Sequence, residues 1–209
     1  RNCRGVLELK TERLYYNDSF LREFEALVLS CEPCGEQFHV VLDRTAFYPT
    51  SGGQPNDIGR LGNAAVVDVT EREDGVIVHV TDRELELGQV LGTINGQRRF
   101  DHMQQHTGQH LLSAAFVELF KMQTVSFHLG GESSAIDLAG ASLSEGQSEA
   151  AERLTNQIIF EDRAVEVRYG TREELAASGV RKEVDREGVL RAVSVEKFDL
   201  QPCGGTHVA

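Results

Sequence analysis

Four residues whose types and spacing point to one chemistry are His106, His110, Cys203 and His207. His106-Thr-Gly-Gln-His110 sets two imidazoles four residues apart. On a helix such side chains stand on one face, one turn apart, which suits two ligands on one metal. Cys203-Gly-Gly-Thr-His207 supplies a thiolate and a third imidazole at the same spacing, with two glycines that let the backbone bend and approach closely. Nitrogen and sulfur donors in tetrahedral geometry point to one zinc ion, with nickel and copper as competitors in a purified sample. The same four ligands also describe a closed structural staple that pins the final loop to the helix. The residues alone leave both readings open. No Glu lies inside the HxxxH pair, so a metalloprotease of the HExxH kind is a poor reading. His102, one turn further back, is either a partner near the metal or a helix-start residue facing water.

A second segment carries polar groups on an irregular backbone. Asp43-Arg-Thr-Ala-Phe-Tyr-Pro-Thr-Ser-Gly-Gly-Gln54-Pro55 follows a strand-like stretch, and its prolines and glycines make a rigid loop. Thr45, Thr50, Ser51 and Gln54 offer hydroxyls and an amide, with Gly52 and Gly53 between them. Such a loop could read a small polar side chain by hydrogen bonding, which rejects an analogue lacking the hydroxyl far better than an apolar pocket does. The plainer alternative is a loop whose glycines only turn the chain. It is not a phosphate-binding loop, since GxxxxGK[ST] is absent. Cys31-Glu-Pro-Cys34 has CxxC spacing without a second pair, and reads better as a strand end with a proline turn than as a redox or metal motif.

The elements that must position these groups change character near residue 96. Residues 1–96 read as strands and glycine turns, with strands at 37–43, 64–70, 76–81 and 90–94, which favours a small β-barrel or sandwich. Asn95-Gly96 is a turn signal. Residues 97–209 mix helices and strands. Apolar residues at 103, 111, 112, 115, 116, 119 and 120 have helical spacing, predicting a helix over 101–122 that carries the HxxxH pair. Short strands are expected at 125–129 and 135–138 around Gly130-Gly131. Ser144 with Gln147 forms a capping box for a helix to about Phe160, and Thr171 with Glu174 forms another, stopped at Gly179. Strands at 164–169 and 189–198 complete an antiparallel sheet with helices on one face. The expected class is α+β, a small N-terminal barrel at 1–96 followed by an α+β metal-binding domain at 97–209.

Bulk properties bound the function. The 209 residues are 40% hydrophobic and 26% charged, an ordinary globular balance. No apolar run approaches the roughly 18 residues of a membrane span, and no charged-then-apolar signal opens the chain, so a cytoplasmic protein without a membrane partner is expected. Four cysteines at 3, 31, 34 and 203 do not suggest a disulfide framework there. A net charge of −12 argues against a broad nucleic-acid surface and leaves only a local basic patch, for which Arg98 and Arg99, or Arg163 and Arg168, are candidates. Arg1 in place of Met suggests a fragment or a trimmed chain.

Taken jointly, TAFYPTSGGQ (45–54), HTGQHLL (106–112), SFHLG (126–130) and CGGTH (203–207) resemble the editing domain of alanyl-tRNA synthetases and the freestanding AlaX-type alanyl-tRNA editing proteins. RLYYNDSFLREFEA (13–26) is similar to the opening of freestanding bacterial members. The related threonyl-tRNA synthetase editing domain shares HxxxH and CxxxH but not the SGGQ loop. The resemblance implies hydrolysis of mischarged Ser-tRNA(Ala), and also Gly-tRNA(Ala), and a fold in which an N-terminal barrel carries the glycine-rich loop while an α+β domain carries the metal. It implies zinc at His106, His110, Cys203 and His207. It implies that Thr45 contacts the seryl hydroxyl, with Gln54 beside it. The expected catalytic set is Thr45, Gln54, His106 and His110, and the expected substrate-binding set is Thr45, Ser51, Gly52, Gly53 and Gln54. The competing expectation is a non-catalytic, zinc-stabilised module that binds tRNA or protein.

Overall fold

The computed structural model describes residues 10–140, 142–181, 185 and 187–209, so Cys3 lies outside the described residues. The chain divides into two compact units, Arg1–Ser51 with Pro55–Arg99, and Gly52–Gln54 with Phe100–Ala209. The glycine-rich loop is therefore shared, with Ser51 in the first unit and Gly52, Gly53 and Gln54 in the second.

The first unit begins with β1 (Glu12–Arg13) and a 3-10 turn at Leu14–Tyr16. There follow β2 (Glu23–Cys34), β3 (Gln37–Leu42), β4 (Arg44–Thr45), β5 (Gly59–Leu61), β6 (Ala64–Glu71), β7 (Ile77–Thr81) and β8 (Gly88–Ile94). Six strands close into an antiparallel barrel in the order β2-β3-β7-β6-β5-β8, and β1 pairs with β4 in parallel beside it. Along β2 every second residue fills the barrel interior, as the two-residue side-chain period requires, while a register shift between Val66 and Asp68 turns both Val66 and Val69 of β6 inward. Phe24, Ala26 and Val28 face inward from β2 and meet Val40, Leu42, Phe47, Leu61, Val66, Val69, Ile77 and Ile94. Strand β2 has no counterpart in the sequence expectation. Leu27 and Leu29 are exposed on its outer side, 43% and 38%, so outward apolar residues mask the alternation. Cys31 and Cys34 both lie on β2, three positions apart and so on opposite sides of the strand; the Leu85 amide donates to Cys31 Sγ at 3.4 Å.

The second unit is organised around α1 (Gly96–Phe120), which belongs to it from Phe100 onward. The helix starts earlier than expected because Asn95 acts as its cap. Its side chain accepts from the Arg98 amide at 3.0 Å, and its carbonyl accepts from the Arg99 amide at 3.0 Å. The remaining elements are β9 (Thr124–Leu129), β10 (Ser134–Leu138), α2 (Glu145–Phe160), β11 (Val165–Gly170), α3 (Arg172–Ala177), β12 (Leu190–Val195) and β13 (Asp199–Pro202). β9 and β10 form an antiparallel hairpin, and β11-β12-β13 form an antiparallel sheet. Both capping boxes form: Ser144 with Gln147 opens α2, and Thr171 with Glu174 opens α3.

The expected single strand at 189–198 is instead a hairpin, β12 and β13, turning at Lys197 with φ of 54°. No Gly, Pro or Asn marks that turn. Leu111 packs with Ile158 of α2 and Val195 of β12, while Ala115 and Phe116 pack with Ala151 and half-buried Ile136 and Leu138. The architecture is α+β, a closed six-strand antiparallel barrel with helices and antiparallel sheets following it. No helix among the described residues is long and apolar enough to cross a membrane.

Candidate metal centre

Helix α1 turns polar residues into its own buried side. His102, Met103, His106, Thr107, His110 and Leu111 are all buried, a spacing of three and four that one helix face satisfies. His102 is therefore buried, which removes the expectation that it faces water, yet it lies outside the cluster of metal-capable donors. From the other side β13 delivers the CGGTH loop. Arg191 on β12 grips it, its Nη1 donating to the carbonyls of Cys203 at 2.6 Å and Gly205 at 3.0 Å. The Cys203 amide donates to the Arg191 carbonyl at 3.1 Å.

His106, His110, Cys203 and His207 converge so that one donor atom from each lies within 4.8 Å of all the others. Cys203 Sγ stands 3.6 Å from His106 Nε2 and 3.3 Å from His207 Nε2. Zinc bonds of about 2.05 Å to nitrogen and 2.3 Å to sulfur give a tetrahedral N-to-S edge of about 3.5 Å, so those two spacings fit one ion of that size. Gly205 is required at its position. A Cβ there would lie 2.2 Å from His106 Cε1 and 2.5 Å from Nδ1, so any side chain would drive the loop off the imidazole.

The loop segment of the second unit reaches the same cluster. Gln54 is fully buried, and its Oε1 meets His106 Nδ1 at 2.8 Å and accepts from the Thr206 amide at 3.2 Å. Its Nε2 donates to Thr206 Oγ1 at 2.8 Å. A backbone N–H can only donate, so the atom it shares with His106 is the amide oxygen, and His106 Nδ1 carries the proton. The Nε2 lone pair is thereby left facing Cys203. At His207, Nδ1 meets Thr107 Oγ1 at 3.1 Å, and that hydroxyl also accepts from the Val208 amide at 3.2 Å. Gly53, at φ of 82°, passes so close to β9 that a Cβ would sit 2.4 Å from the Phe127 carbonyl oxygen. Its own carbonyl accepts from the Leu129 amide at 2.9 Å.

The electrostatics of the ion-free cluster favour a deprotonated sulfur, a neutral His207 and a charged His110. Burial works to raise the Cys203 thiol, but the imidazoles of His207, His106 and His110 outweigh it and hold it well below its usual range. Burial pushes His207 down to about 3. Burial also opposes the charged form of His110, yet Asp199 and Cys203 beside it raise it to about 9. Zinc takes neutral imidazole and thiolate, so the donor set fits it with His110 releasing one proton as the ion binds.

Of the remaining loop residues, Thr45 and Ser51 lie in the first unit and Gly52 in the second. Thr45 on β4 is fully buried; its Oγ1 is 2.8 Å from His79 Nε2 and accepts from the Phe47 amide at 3.1 Å. Ser51 and Gly52 are exposed, and the Ser51 carbonyl accepts from the Tyr48 hydroxyl at 3.2 Å. Arg99, weighed from sequence as part of a basic patch, is instead 1% exposed and pairs with Asp57. Its Nε donates to Asp57 Oδ1 at 3.0 Å, its Nη2 to Asp57 Oδ2, its Nη1 to the Ser19 carbonyl at 2.8 Å and its Nη2 to the Ala46 carbonyl at 2.6 Å. The other arginines of those two expected patches do not stand free either: Arg98 donates to the Asn56 carbonyl, Arg163 pairs with Glu161, and Arg168 lies 3.5 Å from Glu166. Sequence reasoning passed over His79, Asp57, Arg191 and Asp199, which stand beside the predicted residues without any motif of their own.

Comparison with known proteins reaches the same place. Residues 7–98 match the family model of class II (A) tRNA synthetases. The chain is 38% identical to the mouse alanyl-tRNA editing protein Aarsd1 over 94% of its own length and 52% of that protein. It is 35% identical to the Pyrococcus horikoshii alanyl-tRNA editing protein AlaX-L, over 94% of this chain and 51% of that one. An alanine–tRNA ligase of Pyrococcus abyssi is 37% identical over 95% of this chain but only 23% of the ligase. The chain thus spans about half the length of the curated editing proteins it matches. With the folded HTGQH and CGGTH segments in view, the chain is similar over nearly all of its own length to AlaX-type alanyl-tRNA editing proteins and to a part of an alanine–tRNA ligase.

Proposed function

We propose that this chain is a deacylase that hydrolyses the ester of mischarged Ser-tRNA(Ala), and of Gly-tRNA(Ala), at a site holding one zinc ion on His106, His110, Cys203 and His207. The observation that carries the reading is the buried convergence of these four donors, with the SGGQ loop's Gln54 bonded to one of them. The relatives are named alanyl-tRNA editing proteins, which supports a mischarged tRNA(Ala) as the substrate. On this reading residues 1–96 carry the selecting loop and residues 97–209 the metal.

The aminoacyl ester is already activated, so the reaction needs an oriented substrate and an aimed water more than a strong base. Zinc bound here supplies Lewis-acid polarisation and an anchoring charge for the substrate's amine or carbonyl. The protein's own work is to fix the donors. Gln54 locks the His106 tautomer, Thr107 meets His207, and Arg191 ties down the loop that carries Cys203. The two donors on the Gln54 amide oxygen, one of them His106, and the N–H it gives to Thr206 support a role in holding the metal ligand.

Thr45 remains the candidate reader of the seryl hydroxyl, and its hydrogen bonds assign it a polarity. His79 Nδ1 faces the Val40 carbonyl at 3.2 Å, which can only accept, so Nδ1 carries the ring proton. His79 is neutral, since burial lowers it to about 4, and its Nε2 therefore accepts the Thr45 hydroxyl proton. With the Phe47 amide on one lone pair, Thr45 Oγ1 has one lone pair left and no proton to give. A substrate hydroxyl must donate to it. Serine can and alanine cannot, and a lost pairing of this kind costs about 1–3 kcal/mol, so the contact selects serine and gives glycine, which has no hydroxyl, no advantage.

The test is deacylation of labelled Ser-tRNA(Ala) against Ala-tRNA(Ala) by the parent chain and by His106→Ala. Serine release that spares alanine and vanishes in the variant is the expected result. No release above buffer from a folded, zinc-loaded chain would sink the catalytic reading and leave a zinc-stabilised binding module. A Thr45→Val variant is expected to lose discrimination; one that cleaves Ser-tRNA(Ala) at the parent rate and spares Ala-tRNA(Ala) removes Thr45 from the role.

A further inference from the structure

The three imidazoles of the cluster are not equally provided for. His106 Nδ1 has Gln54 and His207 Nδ1 has Thr107. His110 Nδ1 is fully buried and has no hydrogen-bond partner. A carboxylate stands just beyond reach of it, with Asp199 Oδ2 at 3.6 Å and both side chains at 5% exposure or less. That carboxylate is held from its far side: Arg181 Nε donates to Oδ1 at 2.8 Å and Nη2 to Oδ2 at 3.3 Å. The β12–β13 hairpin sets its place, since Asp199 closes the ladder opposite Val195 and opens the strand that leads into Cys203.

We propose that Asp199 is the positioning residue for His110: it accepts the Nδ1 proton and aims the Nε2 lone pair at the other three donors. The inference rests on the metal-site reading above. An imidazole has two nitrogens and can offer only an unprotonated one to a metal, so whatever holds the proton on Nδ1 selects Nε2 as the ligand atom. A carboxylate can only accept, and fixes that choice more firmly than an amide or hydroxyl would. The 3.6 Å gap is too long for a hydrogen bond as it stands, and a shift of under 1 Å of the ring toward Asp199 closes it.

An isosteric replacement separates orientation from packing. In Asp199→Asn the cationic Arg181 takes the amide oxygen, which turns the NH2 toward His110 Nδ1. That donor forces Nδ1 to accept and moves the ring proton to Nε2, closing the lone pair the metal needs. Asp199→Ala loses the same charge but leaves Nδ1 free to keep its proton. Orientation therefore predicts that Asn is the more damaging of the two, whereas a role in packing alone makes Asn the milder.

The experiment is a zinc titration of the full chain against a chromophoric chelator, with parent, Asp199→Asn and Asp199→Ala, folding being checked by circular dichroism. Asp199→Asn is expected to weaken zinc binding about 10–100-fold, and more than Asp199→Ala. Imidazole nitrogen NMR of the zinc-loaded parent is expected to show the His110 proton on Nδ1. Parent-like zinc affinity in Asp199→Asn, or an Asn variant milder than Ala, overturns the proposal while the metal site stands. A folded parent that binds no zinc overturns the metal-site reading itself. If the Asn variant does not fold, Arg181→Gln frees the carboxylate from its anchor and is expected to weaken zinc binding; unchanged affinity there also overturns the proposal.

Discussion

The two units bury polar side chains in opposite ways. In the barrel unit no buried side-chain nitrogen or oxygen is left without a partner among the described residues. Asp57 takes both sides of the Arg99 fork together with the Tyr48 amide, and the two ring nitrogens of His79 are spent on Thr45 and Val40. Nothing needs to be added to such a set. In the second unit the backs of the imidazoles are turned to Gln54, Thr107 and Asp199, and their fronts face a thiol across a gap of a few ångströms. Buried lone pairs turned on one another lack a positive partner, which a cation supplies. Closed networks hold a fold together; an inward-facing set of acceptors marks a ligand.

The comparison breaks first at Arg99. If the barrel's pair is closed and self-sufficient, Arg99→Met leaves Asp57 charged, buried and uncompensated, and should cost about 3–5 kcal/mol in denaturant unfolding. Removing both charges with Asp57→Asn and Arg99→Met together should recover part of that loss. A single variant costing no more than the double would show that the pair does not act as a unit.

His79 tests the same closure through pH. Unfolded, its imidazole takes up a proton near pH 6.5; folded, burial delays uptake to about pH 4. Between those values the unfolded chain binds more protons, so stability rises with pH there and is lost on acidification from about 6.5 to 4. The full depression corresponds to about 3 kcal/mol. Unfolding curves over that range for the parent and for His79→Gln check it, and the variant should lack this part of the slope. An equal slope in both would assign it to other groups.

For the second unit the sharper test is to supply the missing charge. Zinc at about 100 times its dissociation constant should stabilise the chain by about 2.7 kcal/mol, seen as a raised melting temperature that chelation reverses. Gly205→Ala should abolish that response, since its Cβ would fall 2.2 Å from His106 Cε1. A zinc shift that survived Gly205→Ala would mean the loop need not lie against His106 for the ion to bind.

How far these features could be read beforehand follows from the same contrast. HTGQH and CGGTH are visible because metal chemistry demands particular residue types at particular spacings, and both segments fold where those spacings put them. The capping boxes at Ser144 and Thr171 are local and equally legible. What escaped is what only the fold pairs. Asp57 and Arg99 lie 42 positions apart, and Asp199 meets His110 across the body of the second unit. The hairpin turn at Lys197 carries no turn residue, and β2 wears leucines on its outer side. Arg99 was weighed as surface because an arginine is rarely buried, and only its partner makes burial affordable.

The smallest expected effect lies at a place where sequence and structure agree completely. The Ser144 hydroxyl accepts from the Gln147 amide at 3.4 Å, and the Gln147 side chain accepts from the Ser144 amide at 3.0 Å, and neither residue belongs to the cluster of metal-capable donors. Ser144→Ala removes one half of that reciprocal pair, and should cost about 1 kcal/mol in unfolding. Because α2 contributes Ala151 and Ile158 to the core against α1, some loosening of the helix that carries His106 and His110 could follow. The closed-network view predicts otherwise: the donors are set by Gln54, Thr107, Asp199 and the loop, so zinc affinity in Ser144→Ala should equal the parent's while stability falls. A loss of affinity matching the loss of stability would show that the site depends on the whole unit's packing rather than on the side chains that back its imidazoles.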